Sequence, residues 1–318
     1  MALVGIARLA SHAERLEAKR QVEYFEMPAR SILNRTRPGA PFHWTVNPYR
    51  GCEFGCKYCY ARYTHEFMEM SAADFDDRIY AKAASAQLLR QELRRVAPGE
   101  RIALGTATDP YQPAERRYLR TRALLAVFAA ENGRHLGITT KSDLVARDLD
   151  LLLEIARRNV LNVYFTITTL NEALARKLEP RAPSPELRLC AVEKLSRAGI
   201  VVGVTPSPIM PGLTDSPRSL DRLAKAARDR GAQSFGEGVL FLMPSAQKVF
   251  FPFLEERFPE MAARYHRLFA GGPYLGRNYK DELGALLAGI RARYGLSPRP
   301  VEYRPELWLD DPQGSLFQ

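Results

Sequence analysis

Cysteine is scarce in this chain, with four residues in 318. That is too few for a disulfide framework at this size, and in a reducing compartment clustered thiols more often bind metal or do redox work. Long apolar runs are missing too. No stretch approaches the ~18–20 apolar residues that a membrane helix needs. The apolar start of "MALVGIARLASHAERLEAKRQ" is soon interrupted by Arg8, Glu14, Arg15 and Glu17, so it lacks the sustained core of a signal peptide. A cytoplasmic protein with no membrane partner is the expectation. Acidic residues are in short supply: Asp+Glu number 36 against 46 Lys+Arg, a formal net charge of +10. That balance favours an anionic partner such as nucleic acid, and an Arg-rich solvated surface accounts for it equally well. Low-complexity tracts and short internal repeats are also lacking.

What is present is an alternating rhythm. Residues 1–41 are polar and mixed and end in the Pro/Gly-rich "RTRPGAP", which reads as an N-terminal extension and linker. Strands are predicted at 42–46, 101–106, 135–140, 162–169, 200–206 and 238–244. Helical spacing is predicted at 114–131, 142–158, 185–199 and 216–232, with Ser142 or Asp143 capping the second of these. Strands recurring every ~30–35 residues with helices between them imply βαβ units and a parallel sheet. The fold class is therefore α/β, a partial (βα)6 TIM-like barrel over 42–245. A mostly helical C-terminal extension follows over 246–318, its tail from Ser297 irregular. In such folds the chemistry gathers on the loops after the strands.

The loop after the first of these strands carries three of the four cysteines. "NPYRGCEFGCKYCYARYTHEF" at 47–67 places Cys52, Cys56 and Cys59 within eight residues, spaced C-x3-C-x2-C. Three thiolates on a tight loop can converge on one inorganic centre. It can be zinc completed by His65, a 4Fe–4S cluster with a distant fourth ligand, or a 4Fe–4S cluster with one iron left open. Cys190, among Leu187, Leu189, Val192 and Leu195, reads as a buried structural cysteine.

The motif, with the aromatic Tyr58 before its last cysteine, resembles the signature of the radical S-adenosylmethionine (SAM) superfamily. More narrowly, "NPYRGCEFGCKYCYAR" and "GTATDPYQPAE" resemble its spore photoproduct lyase-related branch, often labelled DNA repair photolyase-like. The resemblance covers about 42–245. It implies that the three cysteines hold a 4Fe–4S cluster and that the amino and carboxylate groups of SAM bind the fourth iron. It also implies an external electron donor of flavodoxin or ferredoxin type, and radical abstraction of hydrogen from a substrate. Nucleic acid leads as that substrate, with a peptide or small molecule close behind.

Carried over residue by residue, the resemblance points to the loop "GTATDP" near the methionine amino group, hence Thr106, Thr108 and Asp109. It points to Lys141 on the methionine carboxylate and to Thr166 on the cosubstrate. Tyr58 and Tyr60 would pack beside the cluster or adenine, and the loop at 208–215 would approach the adenosine. Asp109 also suits an ordinary Asp-Pro turn, and Glu115 suits the first turn of a helix. Arg116, Arg117, Arg120 and Arg122 form a basic run that reads as a solvated helix face rather than a phosphate contact. Spore photoproduct itself is an unlikely substrate because Cys190 is the one cysteine left over as a hydrogen donor. The competing reading is a non-catalytic iron–sulfur or zinc module that senses redox state or binds nucleic acid.

Overall fold

Eleven strands occur among the residues described in the computed structural model, which are 5–19, 22–299 and 301–307. In chain order they are β1 (Glu14–Lys19), β2 (Val22–Met27), β3 (Leu33–Arg35), β4 (Trp44–Val46), β5 (Tyr49–Arg50), β6 (Arg78–Lys82), β7 (Arg101–Leu104), β8 (His135–Thr140), β9 (Val160–Thr166), β10 (Val201–Thr205) and β11 (Ser234–Phe235). One sheet runs β11-β10-β9-β8-β7-β4-β3, and a smaller one runs β1-β2-β6-β5. From β4 to β11 every pairing in the larger sheet is parallel, and β3 closes its edge antiparallel to β4.

The central strands are apolar because both faces are covered. Val163 and Phe165 on β9, Ile138 on β8 and Val202 on β10 are fully buried. They pack with Leu124, Phe128, Leu152 and Leu223 from the connecting helices. Two of those helices start on strong signals. Ser184 accepts from the Leu187 amide ahead of Pro185–Arg197, and Ser216 accepts from the Ser219 amide ahead of Pro217–Asp229. The register aligns strand ends: Val46 lies beside Leu104, Thr140 beside Phe165, and Thr166 beside Thr205. The loops that follow these strands therefore leave the sheet along one edge.

Several sequence expectations change. The segment read as a linker before residue 42 carries β2, which pairs parallel with β6, and β3, which joins the larger sheet; residues 1–4, 20 and 21 of it lie outside the described residues. The helix predicted over 114–131 is broken at Leu119, whose φ of +54° is left-handed, and Leu119 is exposed. The predicted helix at 142–158 opens as 3-10 turns over Asp143–Asp148, with Ser142 as its cap. The apolar run at 238–244 is not a sheet strand. Leu240 and Leu242 pack among Phe54, Phe250 and Leu254, and the sixth parallel strand is the two-residue β11. Beyond it the chain is mostly helical: Pro244–Arg257, Pro259–Phe269 and Arg277–Tyr294. The last part of the irregular tail, with residue 300, lies outside the described residues.

Candidate functional site

The cysteine loop is fixed by its backbone before its side chains matter. Gly51 has φ +78°, and a Cβ there would stand 2.6 Å from the Arg78 carbonyl and 2.9 Å from that of Phe75. Only glycine fits so close to two carbonyls. The Cys52 amide then donates to the Phe75 carbonyl (3.0 Å), and the Lys57 amide to Leu178 (2.9 Å). Arg62, fully buried, donates to the carbonyls of Cys56 and Ala72 (3.0 Å each) and pairs with Asp76 at 2.8 Å. Gln112, also fully buried, ties the loop after β7 to the cysteine loop. Its Nε2 reaches the Gly51 carbonyl (3.1 Å) and Thr108 Oγ1 (2.9 Å), and its Oε1 accepts from the Glu53 amide (3.0 Å).

These anchors leave the three thiols facing a cavity of about 310 Å³. Cys52, Cys56 and Cys59 all line it, and so do Tyr58, Thr106, Thr108, Asp109, Lys141 and Thr166. The cysteines and the residues expected to face the cosubstrate are therefore brought to one place by the alignment of strand ends. Tyr60, Phe42, Phe241 and Pro208 are also in the wall.

The polar groups of the cavity are already partly engaged. Asp109 accepts from the Tyr111 amide (2.9 Å), the Thr140 hydroxyl (2.7 Å) and the Lys141 amide (2.7 Å). Its carboxylate thus holds the loops after β7 and β8 together, as an Asp-Pro turn would, and keeps one lone-pair direction free for a ligand. Burial raises its pKa against those three donors. Thr106 holds Asn47 through its hydroxyl (3.2 Å) and accepts from the Tyr60 hydroxyl through its carbonyl. The Lys141 ammonium makes no hydrogen bond to a described residue, and its Nζ stands 5.8 Å from the Tyr58 ring centroid. Burial works against that charge, but neighbouring Cys56 and Glu179 outweigh it and its pKa ends above the ordinary value. Burial also pushes all three thiols up, Cys56 to about 12. Such thiols stay protonated without a metal, and a bound metal takes the place of the proton.

Beneath the cavity lies a buried network that the sequence did not announce. The Tyr58 hydroxyl and the Thr168 hydroxyl (2.7 Å) both donate to Glu179, whose other oxygen accepts from Arg188 at 2.5 Å. Arg188 also donates to the Thr166 carbonyl (2.9 Å). Glu179 and Arg188 are each 1% exposed in their side chains. A lone carboxylate at a helix end and an arginine inside a helix give no sequence signal of such a pairing.

Other candidates fall outside. His65 does not line the cavity; its Nε2 donates to the Arg78 carbonyl (2.9 Å), and its ring packs edge-on to Phe75 and Tyr80. Among the described residues no three His, Cys, Asp or Glu side chains meet closely enough to hold a single ion. The Cys3His set is therefore not brought together, since His65 is turned to the Arg78 carbonyl and away from the cavity that the three thiols line. Cys190 is exposed, a correction to its reading as buried. The buried face of its helix is Arg188, Leu189, Ala191, Val192 and Leu195, and Cys190 points outward with Leu187, three residues away. Glu115 is fully buried. It accepts from Tyr49 Oη (2.6 Å) and from the amides of Thr121 (2.8 Å) and Arg122 (3.0 Å), capping the helix that restarts after Leu119. Arg120 and Arg122 in the basic run pair with Glu26 and with Asp148 and Asp150.

A sequence model of the radical SAM superfamily matches residues 46–224. An uncharacterised protein of Mycobacterium tuberculosis is 36% identical over 302 residues, which span 93% of this chain and 88% of that one. An uncharacterised protein of Methanocaldococcus jannaschii is 31% identical over 200 residues, 61% of this chain and 71% of its own. Among solved structures, a mutant spore photoproduct lyase superposes with a TM-score of 0.64 at 18% identity, covering 85% of this chain and 79% of that one. A lyase structure with bound AdoMet and dinucleoside spore photoproduct gives 0.62 at 18% identity, with 85% and 79% covered. At that identity the likeness speaks for the fold alone.

Proposed function

The chain belongs to the radical SAM superfamily and is a radical SAM enzyme, and from that premise we propose how its own residues divide the work. Cys52, Cys56 and Cys59 would hold a 4Fe–4S cluster through three thiolates, leaving the fourth iron to the amino and carboxylate groups of SAM. The observation that carries this is the common cavity: the three thiols face the same space as Thr106, Thr108, Asp109, Lys141 and Thr166. When bound, the reduced cluster supplies one electron to the sulfonium, releasing methionine and a 5′-deoxyadenosyl radical that takes a hydrogen atom from substrate.

Lys141 is the residue for the methionine carboxylate, since its ammonium is charged, inside the cavity and without an acceptor. Asp109 offers its remaining lone pair to the amino group, beside the hydroxyls of Thr106 and Thr108. Thr166, with its carbonyl held by Arg188, faces the nucleoside side. Phe241, Phe42 and Tyr60 give an apolar wall that keeps water from the reacting centre.

We read 42–245 as the catalytic core, a partial barrel, with 1–41 and 246–318 added to its two ends. The electron donor is an external flavodoxin- or ferredoxin-type protein, and the setting is cytoplasmic. No helix among the described residues is long and apolar enough to cross a membrane. The substrate class we favour is nucleic acid, on the net charge of +10. Anaerobic reconstitution followed by assay of 5′-deoxyadenosine tests the assignment. A cluster that forms without cleaving SAM under reduction, with or without oligonucleotide, would instead make the chain a sensor.

A further inference from the structure

Two large apolar side chains are far more exposed than any others among the described residues. Phe67 and Tyr274 are each 61% exposed, and the next, Leu187, is 49%. Both are aromatic, and they are the two ends of one row. Phe67 meets Tyr63 edge-on at 5.2 Å, Tyr63 stacks toward Tyr60 at 6.5 Å, Tyr60 packs on Phe241 at 5.1 Å, and Phe241 stacks on Tyr274 at 5.9 Å. The middle of the row, Tyr60 and Phe241, lines the cysteine cavity. Its far end opens into an adjoining hollow of about 230 Å³ that shares Val239, Leu240 and Phe241 with that cavity. Isolated exposed aromatics need no explanation, but a continuous row through the mouth of a cavity does.

Cations flank both ends. Lys280 Nζ stands 5.6 Å from the Tyr274 ring centroid. At the other end Arg50 lies close enough to Tyr63 for the phenol to bear on its charge. Arg50 faces Tyr80 across the β5–β6 pair, so it shares a face with Lys82 two residues on. Arg50 Nε is buried without a hydrogen-bond partner, whereas Lys82, 6% exposed, has Glu92 acting on its charge. A buried guanidinium nitrogen without a partner is a group that an anion would relieve.

We propose that this row is a stacking platform for single-stranded nucleic acid, with bases on Phe67, Tyr63 and Tyr274 and phosphates toward Arg50 and Lys280, delivering one nucleotide to the cysteine cavity. It rests on the reading of that cavity as catalytic and narrows its substrate. Exposed rings take unpaired bases and not a duplex, whose base faces are already stacked. The mixture of rings and cations distinguishes nucleic acid from an apolar peptide segment, which would leave the cations unanswered.

Fluorescence anisotropy of the full chain with a labelled oligothymidylate of about 15 nucleotides tests it, against a duplex of equal length and polyglutamate as competitor. Expected are preference for the single strand and a roughly 5- to 50-fold weakening in Phe67→Ala and in Tyr274→Ala. Tyr274→Phe should retain binding, and Arg50→Ala should make the salt dependence shallower by about 0.7 in log–log slope. Equal binding of duplex, no change in the two alanine variants, or displacement by polyglutamate overturns the platform. Formation of 5′-deoxyadenosine in the same preparations reads the underlying assignment separately. Cleavage without oligonucleotide binding removes the platform alone.

Discussion

The hydroxyl of Tyr58 donates to the buried carboxylate of Glu179. The tyrosine sits between two of the three cysteines, so the carboxylate fixes the cysteine loop from below. The same carboxylate neutralises Arg188 at 2.5 Å, and burial is offset for Glu179 by that guanidinium and by Lys141, which hold its pKa below the ordinary value. The pair is worth little as a net source of stability but much as something not to be broken. Glu179→Ala strands a buried guanidinium. It should destabilise the chain by roughly 3–5 kcal/mol and lower Tm by roughly 10 °C. Tyr58→Phe, which removes the hydroxyl's contacts to Glu179 and Thr168 but leaves the ion pair, should cost only about 1–2 kcal/mol. Equal Tm values for Glu179→Ala and the parent, by calorimetry of the full chain, would contradict the network.

Lys141 should matter to the cosubstrate and not to the metal. In Lys141→Met the ammonium is gone while the thiols are untouched. Iron content should be unchanged, and Kd for SAM by anaerobic titration calorimetry should rise roughly 10- to 100-fold, as for one charge-assisted hydrogen bond. An unchanged Kd would remove Lys141 from the site.

Gly51 and Gly99 provide a paired test of the loop geometry. Both have left-handed φ, +78° and +77°, but a Cβ at Gly99 meets nothing within 4 Å, while one at Gly51 meets two carbonyls. Gly99→Ala carries the backbone cost alone, about 1 kcal/mol. Gly51→Ala must also move the loop, and iron bound after reconstitution should fall in it and not in Gly99→Ala. Equal iron in both would show that the thiols do not depend on this turn.

His65 gives the fold an acid sensitivity. Burial, against the hydrogen bond to the Arg78 carbonyl, lowers its pKa from 6.5 to about 4. Between those values the unfolded chain binds a proton that the folded chain does not, so stability falls as pH falls through that window. The loss is of order 3 kcal/mol. Chemical denaturation at pH 7 and at pH 4 should show a smaller drop for His65→Gln than for the parent. Identical drops would mean the histidine takes up its proton in the folded state at no cost.

Much of this was legible in the sequence for a simple reason. The strands of the larger sheet are apolar runs between helices, and the cysteines lie directly after one of them, so topology alone brings Thr106, Asp109, Lys141 and Thr166 to the same edge. What escaped was decided by partners distant in sequence. β6, "RIYAK", looks too polar for a strand and is one because β2 and β5 flank it. The run at 238–244 is apolar enough for a strand, but its side chains cover the cysteine loop and its backbone pairs in isolated bridges with Ile209 and Tyr274 rather than in the sheet. Cys190 has apolar neighbours in sequence and faces solvent because its helix turns them inward. Glu179 and Arg188 are nine residues apart and carry no motif.

The central claim is that three thiols on one loop, with an open coordination position beside Lys141 and Asp109, cleave SAM by one-electron reduction. The direct measurement is anaerobic: reconstitute with iron and sulfide, reduce with dithionite, add SAM, and quantify 5′-deoxyadenosine in the parent and in Cys52→Ala and Cys56→Ala. The account predicts accumulation in the parent and none in either variant, with iron lost in both. Zinc in place of an iron–sulfur cluster, or undiminished 5′-deoxyadenosine from Cys56→Ala, would contradict it.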